Sequence, residues 1–204
     1  ADVTARPLKK GREARALRRD EIAAIREAFV AAAQRVQRAG ADGVQLHAAH
    51  SYLLSRFLDP TFNQRTDAYG GDAVSRFRLV GEIVAGIKAA CGAAFPVLLK
   101  INSDTKADDT AYEADLTYML QESRRLGVEL VELSGVDFLN EPRTATLYYL
   151  ERAKRLRRAV EEPMSLVGGV RSLADMEAVI ASGLDMVSLG RPLVCEPDLL
   201  PRLR

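Results

Sequence analysis

The chain has 204 residues, of which 29 are lysine or arginine and 28 are aspartate or glutamate, and its formal net charge is +1. This balance gives no case for a nucleic-acid partner, and no apolar run approaches the roughly 18 residues that a membrane helix needs. With 48% apolar residues, the composition is typical of a globular protein with one sizeable core. Two isolated cysteines, Cys91 and Cys195, predict neither a disulfide framework nor a metal site, and they favour a reducing, cytoplasmic setting.

Short apolar runs alternate along the chain with segments of helical periodicity. The first helical segment places apolar residues three and four apart from Ile22 to Val36, and Asp20 before it is a candidate N-cap. The same periodicity predicts four later helices, within the segments 77–87, 112–119, 147–156 and 176–180. The apolar runs predict strands at Val44–His47, Val97–Ile101, Leu130–Leu133, Met164–Val167 and Met186–Leu189.

The spacing of these strands predicts the fold class. Their starts are 53, 33, 34 and 22 residues apart, and each interval is long enough to hold a crossover helix. Strand–helix alternation of this kind is typical of an α/β fold with a parallel sheet. In parallel α/β barrels, ligands bind at the carboxyl ends of the strands, so polar residues at those ends are candidate site residues.

Polar side chains stand at the ends of the first two predicted strands. His47 and His50 close the first strand, and Tyr52 follows at once. One histidine in such a place is more often a packed side chain, but two imidazoles and a phenol together predict a place where a small polar group is held and protonated. Lys100 lies in the otherwise apolar second strand, where a cation is costly unless it meets negative charge.

Glycines follow the last two predicted strands. Gly168 and Gly169 come after one strand, and Gly190 with Arg191 comes after the other. Glycines leave backbone N–H groups free to approach a phosphate, and an arginine adds a charge-assisted contact. The spacing alone would suit any of several phosphate-binding barrels.

The segment from Ala39 to Gly71 resembles the signature of the old yellow enzyme family, the FMN-dependent NAD(P)H:flavin oxidoreductases built on a (β/α)8 barrel. In that family, a strand ends in His, with His or Asn three residues later and Tyr two further on, as in His47, His50 and Tyr52. An Asn-x-Arg-x-Asp-x-Tyr-Gly-Gly run follows in the family, and it is matched here by Asn63, Arg65, Asp67, Tyr69, Gly70 and Gly71.

The resemblance implies roles for the candidate residues. His47 and His50 would bind the carbonyl oxygen of an activated alkene, such as an α,β-unsaturated carbonyl, and polarise its C=C bond so that hydride can add. Tyr52 would donate the proton, because a phenol stays protonated at neutral pH. Lys100 would lie against the flavin N1/C2=O edge, and NAD(P)H would be the electron donor. The residues implied to hold the FMN phosphate are Gly168, Gly169, Gly190 and Arg191.

The resemblance also implies the fold: a TIM barrel that this chain represents by about five βα units, strands four to eight. We therefore interpret residues 1–204 as one partial barrel domain cut from a longer chain, with 1–20 a loop segment and 21–204 the βα units. Two open sheet edges would favour association, so a homo-oligomer is compatible with this interpretation. We expect residues 1–20 and the loop 59–71 to be the least protected, and the polar loop residues from Asp59 to Tyr69 to be structural rather than catalytic.

The sequence suggests further candidate site residues and leaves two alternative functions. Ser134 and Gly135 are expected on the floor of the site, and the loop 137–144 is a candidate for substrate contact. One rival is a related barrel that binds another phosphorylated ligand without flavin. Another is a catalytically silent folding or oligomerisation domain, since strands one to three supply part of the flavin pocket in the family.

Overall fold

The computed structural model describes residues 1–7, 13–105, 109–136 and 144–203. In chain order the elements are β1 (Arg6–Pro7), β2 (Glu13–Ala14), α1 (Arg19–Arg38), β3 (Val44–Ala48), α2 (Leu53–Leu58), α3 (Ala73–Cys91), β4 (Val97–Asn102), α4 (Asp109–Arg125), β5 (Leu130–Ser134), α5 (Leu150–Ala159), β6 (Met164–Val167), α6 (Leu173–Ala181), β7 (Met186–Ser188), α7 (Arg191–Cys195) and α8 (Leu199–Arg202). None of the helices in these ranges has the length and apolar character needed to cross a bilayer.

The central feature is a parallel sheet of five strands in the order β3-β4-β5-β6-β7. Each strand pairs with the next one along the chain, and α3, α4, α5 and α6 form the four connections. The predicted parallel α/β sheet is therefore confirmed, and the predicted strand bounds differ from the observed ones by at most one residue. All five strands end at the same edge, which brings the candidate residues together.

The two faces of the sheet differ in character because side chains alternate along each strand. One face packs against the helices and is apolar: Leu99, Ile101 and Leu133 are fully buried there, within a core that includes Ile83 of α3 and Leu116 of α4. The opposite face is more polar and varies in burial: His47 is exposed, Lys100 and Glu132 are partly buried, and Asn102 and Ser134 are buried. Register pairs set the rows of side chains across that face, and one row runs from β3 to β6: His47, Lys100, Glu132 and Ser165.

The structure of the amino-terminal segment differs from two of the predictions made from the sequence. Residues 1–20 are more than a loop, because β1 and β2 form an antiparallel pair and α1 already begins at Arg19. Asp20 is not the N-cap: it lies in the first turn, and Arg18 occupies the cap position. The Glu21 carboxylate accepts a hydrogen bond from the Arg18 backbone N–H at 2.9 Å, which satisfies the donor that a cap residue leaves open.

The loop 59–71 is held by its own side chains and by the amino-terminal segment. The Asn63 amide donates to the carbonyl oxygens of Phe57 and Tyr69, each at 2.7 Å. The Arg65 guanidinium donates to the carbonyls of Val3 and Leu17 at 2.9 and 2.8 Å. These bonds agree with a structural role for the loop, and the expected low protection of the two segments stays a prediction for hydrogen exchange.

Arg76 of α3 ties that helix to its surroundings and supports a stability prediction. Its side chain is only 5% exposed; it donates to the carbonyls of Leu58 (2.9 Å) and Gly71 and pairs with Asp115 of α4. Replacing Arg76 by alanine is expected to lower the free energy of unfolding by about 3 kcal/mol, the low end for loss of one partner of a buried pair, because Asp115 is partly exposed. Denaturant unfolding measures this, with Arg78→Ala as the control.

Arg78 is suited to that control because it lies two residues later in the same helix. Its exposed side chain donates a hydrogen bond to the Ala68 carbonyl at 2.7 Å. We expect Arg78→Ala to cost within about 1 kcal/mol, since it breaks one neutral-acceptor bond near water. Equal losses for the two variants would contradict the assignment of Arg76 as a structural anchor.

Candidate active site

A cavity of about 700 Å³ opens at the carboxyl ends of the parallel strands. This volume lies within the range of roughly 300–1,000 Å³ that is usual for cofactor and small-molecule sites. The cavity wall includes six of the eight residues that the sequence singled out: His50, Lys100, Gly168, Gly169, Gly190 and Arg191. The other two, His47 and Tyr52, do not line it; the His47 ring contacts both His50 and Tyr52.

The histidines and the tyrosine form one cluster at the end of β3. The ring centroids of His47 and His50 are 4.9 Å apart, and those of His47 and Tyr52 are 5.3 Å apart. The turn that produces this cluster is strained, because His50 and Ser51 both have positive φ, at 63° and 58°. Tyr52 is 63% exposed, so most of the residue is open to solvent.

Neighbouring strands fix the position of His50. Its backbone N–H donates to Asn102 Oδ1 at 3.0 Å, and its ring Nε2 lies 2.8 Å from Ser134 Oγ. Asn102 ends β4 and Ser134 ends β5. Ser134 thus lines the cavity as expected. Asn102 is a supporting residue that the sequence did not reveal, since an Asn at a strand end has no distinctive pattern.

The electrostatic setting keeps both imidazoles neutral. Burial lowers the pKa of His50 to about 4, and the nearby positive charge of Lys100 adds to this effect. Burial and then Lys100 likewise lower the pKa of His47, while the Glu132 carboxylate acts on both rings in the opposite direction. At neutral pH each ring is therefore an uncharged group with one N–H to donate and one nitrogen to accept.

A lysine in an otherwise apolar strand is expected to have an anionic partner, and for Lys100 this partner is Glu132. The Lys100 Nζ lies 2.5 Å from Glu132 Oε1, and both side chains are largely buried. The two residues are direct register partners on β4 and β5. Glu132 was missed in the sequence because only strand register shows that it faces Lys100; a lone acid inside an apolar strand was the available signal.

The glycine loops form the far wall of the cavity. Gly168 and Gly169 have φ values of 116° and 72°, a region that favours glycine, whereas a Cβ added to Gly190 would meet nothing within 4 Å. Arg191 and Arg171 line the same cavity. Two arginines beside the glycine backbone of this wall, of which Gly190 is exposed, are a donor set suited to an anion such as a phosphate.

Two tyrosines that the sequence did not identify complete this wall. Tyr148 lines the cavity, and its hydroxyl accepts a hydrogen bond from Arg171 Nη2 at 3.0 Å. Tyr149 is buried against Gly135, where a Cβ would overlap its ring, so Gly135 packs behind the wall instead of forming the floor. The predicted helix also starts later than expected, at Leu150, because Leu147 precedes it with a positive φ of 50°. Of the candidate substrate loop, residues 137–143 lie outside the described residues.

The sequence of the chain is similar to a family of known flavin oxidoreductases. The model of the NADH:flavin oxidoreductase / NADH oxidase family matches residues 2–204. The NADH:flavin oxidoreductase FG08077 of Gibberella zeae is 32% identical over 204 aligned positions, which cover 91% of this chain and 49% of the relative.

Solved structures give the same result. The old yellow enzyme homologue from Zymomonas mobilis superposes with a TM-score of 0.79 at 26% identity, over 98% of this chain and 57% of that one. Morphinone reductase in complex with tetrahydroNAD superposes with a TM-score of 0.74 at 29% identity, over 97% of this chain and 55% of that one. The chain thus spans about half the length of these relatives. It belongs to the NADH:flavin oxidoreductase / NADH oxidase family, and the resemblance to old yellow enzymes is confirmed.

Proposed function

We propose that this chain carries the substrate-binding and phosphate-binding half of an FMN-dependent oxidoreductase that uses NAD(P)H to reduce an activated alkene such as an α,β-unsaturated carbonyl. The observation that carries the proposal is one cavity that joins His50 and Lys100 to the glycine–arginine wall. Within the proposal, the five strands are strands four to eight of an eight-stranded barrel. The family description and the tetrahydroNAD named for morphinone reductase support a nicotinamide donor.

The residues of the cavity fit FMN by the chemistry of their donors. Gly168, Gly169 and Gly190 offer backbone, and Arg191 offers charge, to the phosphate end. Lys100 places a cation at the opposite wall, where it would face the N1/C2=O edge of the ring. When bound, FMN supplies hydride transfer between the nicotinamide and the acceptor.

The cluster at the end of β3 would act on the alkene. Neutral His47 and His50 can donate N–H bonds to the carbonyl oxygen, and such donors are most effective where negative charge develops during the reaction. Tyr52 lies within the same cluster and can give its phenolic proton to the α-carbon. These roles for His47, His50 and Tyr52 follow the family pattern that the segment matches.

The first test of this proposal addresses the phosphate end. Replacing Arg191 with alanine is expected to weaken FMN binding by about 1.5–3 kcal/mol, the range for a hydrogen bond to a charged group. Fluorescence titration of the FMN-free protein with FMN measures the dissociation constant. Glu196→Gln is a suitable control, because Glu196 follows the same short helix and does not line the cavity. Unchanged FMN affinity in Arg191→Ala would remove Arg191 from the site.

The rival without flavin is tested by the same titration. A protein that binds a phosphorylated ligand but no FMN would show no saturable fluorescence change with FMN. Inorganic phosphate would still bind at the wall that contains Arg191. An absorbance spectrum with the flavin bands in the purified protein would instead support the proposed function.

A further inference from the structure

The proposed function gives no role to Glu132. It lies on β5 in register with Lys100 of β4, and the two side chains form an ion pair at 2.5 Å. Lys100 reaches the cavity wall, whereas Glu132 is not among the residues that line the cavity. The carboxylate is therefore beside Lys100 in the row across the sheet and does not itself line the cavity.

The pair lies directly below the residues that hold His50. Asn102 and Ser134, which contact His50, each stand two residues beyond Lys100 and Glu132 on the same strands. Side chains two residues apart on a strand share a face and are about 6–7 Å apart along it. His47 is the register partner of Lys100 on the other side. The ion pair therefore lies in the same row as His47, and one step before the residues that contact His50.

The charges around this layer explain what the carboxylate does. Lys100 and the two wall residues Arg171 and Arg191 all contribute positive charge to the cavity. A largely buried lysine with no partner would carry a high desolvation cost and would act at full strength on its neighbours. Glu132 holds the ammonium group in one place and cancels part of its field.

We propose that Glu132 is a positioning residue that fixes Lys100 at the cavity wall and offsets its charge, so that it tunes both the reduction potential of the bound flavin and the titration midpoints of His47 and His50. The redox part rests on the proposed function. The imidazole part does not need FMN and rests on the ion pair and on the register that places Lys100 opposite His47.

The test compares Glu132→Gln with Glu129→Gln in the full FMN-loaded protein. Glu129 immediately precedes β5 and also pairs with a lysine, Lys88, at 2.5 Å, but this pair is outside the cavity. Glu132→Gln is expected to make the flavin potential more positive, because an uncompensated Lys100 stabilises the anionic reduced form. The expected change is roughly tenfold in the oxidised-to-reduced ratio, or about 30 mV for a two-electron couple. Glu129→Gln should leave the potential unchanged.

The second readout is the titration of the imidazoles by NMR, which needs no flavin. Glu132 raises and Lys100 lowers the pKa of His47, so Glu132→Gln should shift the His47 midpoint downward and Lys100→Met should shift it upward. Glu132→Asp keeps the charge and should restore much of both effects. Because the two residues act on His47 with opposite sign, the Lys100→Met/Glu132→Gln protein should have a His47 midpoint between those of the two single variants.

The outcomes separate the two proposals. A protein that binds no FMN but shows the His47 shifts would refute the proposed function and support the role of Glu132. A protein that binds FMN while Glu132→Gln and Glu129→Gln have equal potentials and equal His47 midpoints would overturn the inference. Should Glu132→Gln fail to fold, the comparison of Glu132→Asp with the double variant decides the same question, since only one of them retains a charge pair.

Discussion

Replacing both His47 and His50 by alanine is expected to lower the turnover of enone reduction by at least about 10²–10³-fold, the usual cost of losing one donor to a developing oxyanion. The two ring centroids lie 4.9 Å apart and the environment holds both rings neutral, so under the proposed function they can donate N–H bonds to one carbonyl oxygen. The losses of two residues that act as a unit do not add, so the double variant should resemble the worse single one. Stopped-flow measurement of enone-dependent flavin reoxidation provides the rate.

The matched control for this result is His50→Asn. Asparagine keeps an N–H donor at the same position, so this variant should retain much more activity than His50→Ala. Binding of a phenol, followed by its charge-transfer absorbance, should weaken in the double alanine variant, while flavin reduction by the nicotinamide survives. An equal collapse of that reductive step would show that the pair does not act as a grip for the substrate oxygen.

The five strands could be predicted closely because each is a short apolar run between helical segments. Val97 to Ile101 has this form, and in the structure the strand extends by one residue to Asn102. The predicted helix starts were wrong where specific hydrogen bonds outweigh the local sequence pattern. Asp20 is a good N-cap type, but Glu21 reaches back to Arg18 and moves the helix start. Leu147 fits the helical spacing, yet its backbone turns the other way and bonds to the Gly169 carbonyl at 3.2 Å.

The residues missed at the site share a different cause. Glu132 and Asn102 acquire meaning only through register, which places them opposite Lys100 and beside His50. Tyr148 and Tyr149 belong to the site through packing on glycines that are about 20 residues away in sequence. Periodicity reports which face of an element is buried, but it does not report which side chain on the next element is opposite. Such partners had to come from the structure.

Alanine substitutions in the two glycine loops should both weaken FMN binding but should differ in their effect on stability, and this contrast is the sharpest test of the proposed phosphate site. Gly190→Ala is expected to leave the free energy of unfolding within about 0.5 kcal/mol of the parent, because the new methyl group enters open space and Gly190 has a negative φ of −117°. If that space belongs to a phosphate, however, the methyl group must displace it, and FMN affinity should fall. Gly190→Ala is therefore expected to change FMN affinity without changing the free energy of unfolding.

Gly169→Ala is the counterpart. Gly169 has a φ of 72°, which costs alanine about 1–2 kcal/mol, and the added Cβ would lie 2.6 Å from the Leu147 backbone nitrogen and 2.9 Å from the Tyr148 ring. We therefore expect Gly169→Ala to lower both stability and FMN affinity, since the wall that contains Tyr148 must shift. Thermal unfolding and FMN titration of the two proteins give the comparison. Full FMN affinity in Gly190→Ala would place the phosphate elsewhere, because no ligand oxygen could then approach the Gly190 backbone where the methyl group stands.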